Sequence, residues 1–390
     1  MGVLSALRPA APDRRAIVSV QVLRFAAAAI VLFAHLEDRL GGFGDRYGFV
    51  YRKVGFAGVF GVEIFFVISG FIMLHIGWGK FGAPGAVGDF FRHRVARIVP
   101  LYWTLTALQI ALALVLRDAP DRVNPANILK SLLFIPYLSE MGKHRPVLEQ
   151  GWTLNFEMLF YLLFAACLVA PRRFGIAALG AVLALGGMAR YFGVHAILLD
   201  PLLLLFLAGG ALALVRRRLP RLLNFPYALP AAFVLIVVAT TVVHDPLAHA
   251  LFAILVVGLA VLCRDVAADL PGMRWLVAGG DSSYSLYLSH GFVLLVVGTA
   301  WRKLFGADLL PVYAAAVVVG SLALAWICFV FIERPLSRWT GARLARRGPQ
   351  ARKPAPPPSA EWRREAPGAS RPGRTGALPH DEVGVGEGEA

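Results

Sequence analysis

The stretch Gly55-Phe56-Ala57-Gly58-Val59-Phe60-Gly61-Val62-Glu63-Ile64-Phe65-Phe66-Val67-Ile68-Ser69-Gly70-Phe71-Ile72-Met73-Leu74-His75-Ile76 decides the fold. It carries one carboxylate, Glu63, and no Lys or Arg. Wound as an α-helix at ~1.5 Å per residue it crosses the ~30 Å hydrocarbon core of a bilayer. Its apolar side chains occupy every side of the helix rather than one stripe, so no face is built for water.

Nine further runs of this kind lie around it, at Ile17–His35, Ile98–Leu116, Trp152–Ala170, Phe174–Met188, Ala196–Val215, Tyr227–Val243, Leu247–Cys263, Tyr284–Ala300 and Pro311–Ile332. The fifth and eighth spans, Phe174–Met188 and Leu247–Cys263, are short enough to tilt or to be half-buried. The whole chain of 390 residues is 58% hydrophobic and 16% charged. A soluble domain is roughly 45–50% apolar and about 25% charged. With mean hydropathy at +0.65, too little polar surface remains to clothe a water-soluble fold. The expectation is an all-α polytopic membrane protein, a bundle of about ten transmembrane helices.

The net charge of +15 does not point to nucleic acid, because no soluble domain remains to display a basic face. The basic residues instead fall in short loops, as topogenic signals do. With the N-terminus inside, 20 Lys and Arg face the cytoplasm against 12 outside, leaving aside Arg24 and the six beyond Arg347. This bias predicts both termini in the cytoplasm of a bacterial inner-membrane protein, with membrane lipid as a partner. The first span contains Arg24 and no convincing small-residue cleavage site, so it is expected to stay as a signal anchor. Residues 1–16 read as a short cytoplasmic segment, 17–340 as the membrane domain, and 341–390, rich in Pro, Gly, Ala, Arg and Glu, as a disordered cytoplasmic tail. Cys167, Cys263 and Cys328 sit unpaired in apolar runs without neighbouring metal ligands, so they read as packing residues. No metal site is expected.

Ionisable side chains inside a span are costly and mark function. Arg24 and His35 lie eleven residues apart, three helical turns plus ~20°, so they share a face ~16 Å apart along the axis. Glu63, Ser69 and Gly70 interrupt the second span. Arg94 and Arg97 are helical neighbours at i,i+3 just before Ile98-Val99-Pro100, and two guanidiniums at a membrane edge suit a phosphorylated ligand. The fourth span opens Trp152-Thr153-Leu154-Asn155-Phe156-Glu157, with Trp152 placed for an interfacial belt and Tyr161 on the face of Glu157. Ser283, Tyr287 and His290 form a polar stripe at i, i+4 and i+7. The last span ends at Glu333-Arg334-Pro335, where Pro335 is expected to mark the helix boundary.

Taken in order, these segments resemble the membrane-bound acyltransferase 3 family of multi-spanning O-acyltransferases. The likeness rests on Arg24 with His35, Glu63-Ile64-Phe65-Phe66-Val67-Ile68-Ser69-Gly70-Phe71, Arg94 with Arg97, Trp152 to Glu157, Tyr284-Ser285-Leu286-Tyr287-Leu288-Ser289-His290, and Glu333-Arg334-Pro335. It extends from about Ile17 to Trp339. The opening segment Ile17 to Arg24 is most similar to exopolysaccharide-acetylating members. Some members carry an added soluble domain; here only the tail follows, so the expectation is the membrane module alone.

The resemblance implies transfer of an acyl group, acetyl in the first instance, from cytoplasmic acyl-CoA to a hydroxyl of a cell-surface or exported glycan. No permanently bound cofactor is expected; acetyl-CoA is the donor substrate. It places the donor at Arg94 and Arg97, with Arg24 joining them, and the acceptor near His35. His35 then acts as general base or as transient acyl carrier, and Glu157 is the second catalytic candidate, open to orienting the imidazole. Arg24, Ser69 and Tyr287 are candidate donors to the oxyanion; Glu63, Trp152, Tyr161, Ser283 and His290 are supporting residues. The alternatives are a carrier of a lipid-linked glycan or small molecule that uses the same polar residues as a pathway, and an acyltransferase acting on a macrolide-like acceptor. The oligomeric state stays open, a homo-oligomer included.

Overall fold

The second span is the hub of the bundle. In a computed structural model it forms a helix over Gly58–Gly77, and all but a few of its side chains are buried. The structure describes residues 17–53, 58–116, 123–138, 145–194, 196–219, 231–238, 242–243, 245–263 and 272–347. In chain order the helices are α1 (Val18–Tyr47), α2 (Gly58–Gly77), α3 (Ala86–Leu116), α4 (Pro125–Leu132), α5 (Trp152–Leu168), α6 (Arg172–Met188), α7 (Leu203–Arg218), α8 (Pro246–Leu262), α9 (Met273–Asp281), α10 (Ser283–Leu304), α11 (Leu310–Cys328) and α12 (Arg334–Arg347). No β-strand occurs among the described residues.

Around α2 pack α1, α5, α7 and α8, while α10 lies against α1 and α11, and α9 against α1. Lipid offers no hydrophobic drive between helices, so close backbone approach and van der Waals contact must hold them. The α2–α7 crossing shows how. A Cβ added at Gly70 would collide with the Phe206 carbonyl, and one at Gly209 with the Val67 carbonyl. Beside this glycine contact, Phe66 stacks on Phe206 at 4.7 Å and Phe206 on Phe160 at 4.4 Å between ring centroids. The ends of the helices are set by local chemistry. Gly48, at φ 77°, takes the left-handed conformation that stops α1, its N–H bonding back to Gly44. Asp245 caps α8 by accepting the Ala248 N–H at 2.8 Å, with Pro246 in the first turn.

Seven helices among the described residues are long and apolar enough to cross a membrane. Two shorter ones accompany them, α8 with 17 residues and α7 with 16. The chain is therefore an all-α polytopic membrane protein, but the expected ten spans are not reproduced as a count. Of the seventh expected span, Tyr227–Val243, residues 231–238 are helical, while 227–230 and 239–241 lie outside the described residues. The sixth begins at Leu203 rather than Ala196, because Asp200 and Pro201 hold the preceding residues off the helix, with Asp200 Oδ1 accepting the Leu202 N–H at 3.0 Å.

Two prolines bear on the helix boundaries. Pro100 lies within the continuous helix α3, so Arg94 and Arg97 belong to the spanning helix itself. Pro335 does not end the last helix. A five-residue π turn, Phe329–Glu333, joins α11 to α12, and Pro335 sits in the first turn of α12, where its missing N–H costs little. Helix α12 then continues to Arg347, past the expected boundary at Gly341, through the strong helix formers Ala342, Arg343, Leu344 and Ala345. The remainder of the tail, 348–390, and residues 1–16 lie outside the described residues. Cys263 and Cys328 are buried and Cys167 is half-buried.

Candidate active site

Helix α1 carries the axis of the site. Arg24 is 8% exposed, and its guanidinium donates to Gln21 Oε1 at 2.9 Å. Gln21 in turn donates through Nε2 to Asp281 Oδ1 at 2.5 Å, at the end of the short helix α9. Helix α9 comes this close because Gly280 faces the Gln21 carbonyl without a side chain between them. From the far side, Ser285 donates to Glu333 Oε2 at 2.6 Å, and Glu333 is the last residue of the π turn. Gln21, Arg24, Arg97, Asp281, Glu333 and Arg338 line a cavity of about 260 Å³ at the end of the bundle that carries the N-terminus of α1. Buried cations and carboxylates are tolerable only in company, and this cluster supplies it.

Arg24 and Arg97 also line a second, narrower cavity of about 150 Å³, deeper in the bundle. There the walls are mostly apolar, with Phe65, Ile68, Ile72 and Met73 from α2 opposite Glu157 and Tyr161 from α5. Tyr161 donates its hydroxyl to Glu157 Oε1, and Ser69 approaches the same oxygen at 3.5 Å. Arg94 reaches in over the Tyr161 ring, 5.8 Å from its centroid, and its Nε is buried with no hydrogen-bond partner among the described residues. A guanidinium pair with donors to spare, at the mouth of a narrow apolar slot, suits a phosphorylated head with a thin tail.

At the opposite end of α1, His35 lines a third cavity of about 390 Å³ together with Asp38, Arg145, Glu149, Gln150 and Trp152. Arg145 pairs with Glu149 at 2.5 Å, and Lys53 with Asp38 at 2.7 Å. His35 Nδ1 lies 2.8 Å from the Val31 carbonyl. A carbonyl only accepts, so Nδ1 carries the proton and Nε2 carries the lone pair that can take one. Val62 and Tyr287 belong to both the His35 cavity and the narrow slot. The Tyr287 hydroxyl is pinned at this junction, 2.9 Å from Thr153 Oγ1 and 3.2 Å from the Gln150 carbonyl.

The sequence-derived residues thus sort by place. Arg24, Arg94, Arg97, Ser69, Glu157 and Tyr161 meet in the slot, His35 and Trp152 line the third cavity, and Tyr287 stands between. Glu157 makes its hydrogen bonds to Tyr161 and Ser69 rather than to the imidazole; the group packed against His35 is the ring of His290. Glu63 is buried and Ser283 donates back to the Gly280 carbonyl at 2.7 Å; neither lines these cavities. Sequence reasoning did not single out Gln21, Asp38, Arg145, Glu149 or Gln150 as site residues. Gln21 and Asp38 each stand one turn from Arg24 or His35, and that i,i+3 spacing was the available signal.

Three adjoining cavities, with arginines at one end, an apolar waist and an imidazole at the other, run along α1 of a membrane bundle. The chain belongs to the acyltransferase 3 family: that family's model, described as an acyltransferase domain, matches residues 17–330. It is an acyltransferase, which sets aside the carrier alternative. It is 35% identical over 306 residues to the exopolysaccharide production protein ExoZ of Rhizobium meliloti (strain 1021), covering 73% of this chain and 92% of the relative. It is 26% identical to the acyltransferase MdmB of Streptomyces mycarofaciens, over 87% of this chain and 95% of that protein. No solved structure matches the chain significantly.

Proposed function

We propose that the chain is an inner-membrane O-acetyltransferase that takes acetyl from cytoplasmic acetyl-CoA and esterifies a hydroxyl of an exported glycan on the outer face. The observation that carries this reading is the succession of cavities along α1, joined through Arg24 and Arg97 at one end and through Val62 and Tyr287 at the other. Such a path lets the phosphates of the donor stay at the arginines while the long arm of CoA presents its thioester toward His35. The similarity to an exopolysaccharide production protein supports a glycan as acceptor. The excess of basic loops on one side supports the N-terminal end of α1, and with it the arginine cluster, facing the cytoplasm.

In this reading His35 Nε2 accepts the hydroxyl proton as the acceptor oxygen attacks the thioester carbon. The C–S bond breaks, and CoA leaves as the thiol with the proton that the imidazolium returns. The same nitrogen can instead attack first and hold the acetyl group as an acyl-imidazole, which the acceptor then cleaves. Arg24, Ser69 and Tyr287 are the side chains available for the oxyanion. The test is reconstitution in proteoliposomes with labelled acetyl-CoA on one side and de-esterified polysaccharide on the other. Label is expected in ester linkage on the polysaccharide; its absence there, with the protein intact, overturns the reading.

A further inference from the structure

A fourth cavity, of about 330 Å³, opens beside the His35 cavity and shares one wall with it, the indole of Trp152. Its other walls come from Asn155 and Phe156 on α5, from Pro136 and Leu138, and from the largely aliphatic connection between α6 and α7, where Arg190 and Asp200 pair at 3.4 Å. Nothing in the chemistry proposed above uses it. Asn155 is the residue that most needs an explanation. It is 6% exposed, lies in the first turns of a membrane helix, lines this cavity, and makes no hydrogen bond to any described residue. Its amide, with two donors and one acceptor, is therefore open to a polar occupant of the cavity.

The remaining groups say which kind. Trp152 and Phe156 meet edge to face, 6.2 Å between centroids, and offer aromatic surface to the C–H face of a ring. Asn155, Asp200 and Arg190 are planar polar groups that supply acceptors and paired donors for neighbouring hydroxyls. Arg190 and Asp200 keep hydrogen-bonding capacity beyond their own pair, since among the described residues Asp200 otherwise accepts only the Leu202 N–H. The volume falls in the range of small-ligand sites, ~300–1,000 Å³. Aromatic faces beside carboxylate, guanidinium and amide suit a pyranose better than a lipid tail or a lone anion.

We propose that this cavity is a second acceptor subsite, holding the sugar unit next to the one that is acylated, with Trp152 as the partition between two consecutive units. The proposal rests on the reading that a glycan is the acceptor and adds that the enzyme recognises a segment of at least two sugars. Specificity for a chain over a single sugar then resides in Asn155, Arg190 and Asp200, away from the reacting atoms.

The test compares two acceptors in proteoliposomes: short oligosaccharides released from the cells' own exopolysaccharide after alkaline removal of esters, and methyl glycosides of its constituent sugars. Arg190→Ala, at the open rim, and Asn155→Leu are expected to raise KM for the oligosaccharides by about tenfold, the loss of a hydrogen bond or two to a charged or buried partner. KM for the methyl glycosides should move by less than twofold, and kcat for either acceptor should hold. Equal effects on both acceptors, or no effect of Arg190→Ala on the oligosaccharides, overturn the subsite. Wild-type protein that acylates neither saccharide overturns the glycan reading itself, and the subsite with it.

Discussion

The ring of His290 stands edge-on to the ring of His35, with centroids 5.0 Å apart and planes at 61°. His290 is fully buried on α10, its Nδ1 tied to the Leu286 carbonyl at 3.1 Å, whereas His35 on α1 opens to a cavity. A fixed ring behind a reactive one limits the rotamers available to the second. Such edge-to-face contact is worth ~0.5–1.5 kcal/mol, up to about tenfold in the population of the productive orientation. His290→Ala is therefore expected to lower kcat by up to about tenfold with KM for acetyl-CoA unchanged. His290→Phe, which keeps a ring there, should recover most of it. Steady-state rates in proteoliposomes decide; a Phe variant as slow as Ala would assign the work to the His290 nitrogen instead.

His35 itself is expected to matter far more. General-base assistance is typically worth ~10²–10⁴-fold, so His35→Ala should leave a folded, membrane-inserted protein slowed on that order. His35→Gln, polar but not basic, should fail similarly. Label transferred at a near-normal rate by either variant would return His35 to an interfacial role.

The arginines carry a separate expectation. Arg97→Ala and Arg94→Ala should weaken acetyl-CoA binding and flatten its dependence on salt, measured by titration of the purified protein. Lysine at either position should restore only part, because an ammonium lacks the planar fork. Unchanged donor affinity in both Ala variants would remove the donor assignment.

Orientation can be read by labelling. Arg217 is exposed on α7, its guanidinium 4.1 Å from the centroid of the Trp78 ring. A cysteine placed there, in a background lacking Cys167, Cys263 and Cys328, should react with membrane-impermeant thiol reagent only after the cytoplasmic face is opened. Reaction from intact cells would invert the topology.

The α2–α7 crossing gives a stability prediction. Gly209→Ala and Gly70→Ala each push a methyl into backbone rather than into a pliable side chain. Overpacking of this kind typically costs ~1–3 kcal/mol. Thermal unfolding in detergent should show a clearly lowered midpoint for both, and their double variant should lose less than the sum because they share one contact.

How far the sequence carries depends on whether an interaction is local. Arg24 with His35, and Glu157 with Tyr161, were legible because three turns or one turn of a helix bring them to one face. The partner of His35 was not legible, since α1 and α10 meet only through the packing of the whole bundle. Trp152 fits an interfacial belt by position, yet it forms the wall between two cavities, a role that requires the α6–α7 connection to be folded beside it. The extent of α12 was misread because composition signals disorder where helix propensity still holds, and Pro335 because a π turn moved the boundary upstream of it. The start of α7 was misread because average hydropathy across Ala196–Leu202 outweighed the Asp200-Pro201 pair.

The pinning of Tyr287 has a consequence for the cell as a whole. A transmembrane bundle hollowed from both ends needs a barrier to ions between its hollows. Where the apolar slot meets the His35 cavity, the side chains common to both are Val62 and a tyrosine held by Thr153 and the Gln150 carbonyl. On the proposed path those two hydrogen bonds would hold back ions as well as shape the site: a phenol kept in place between the rings of Phe65 and His290 closes the passage until an acyl group displaces it.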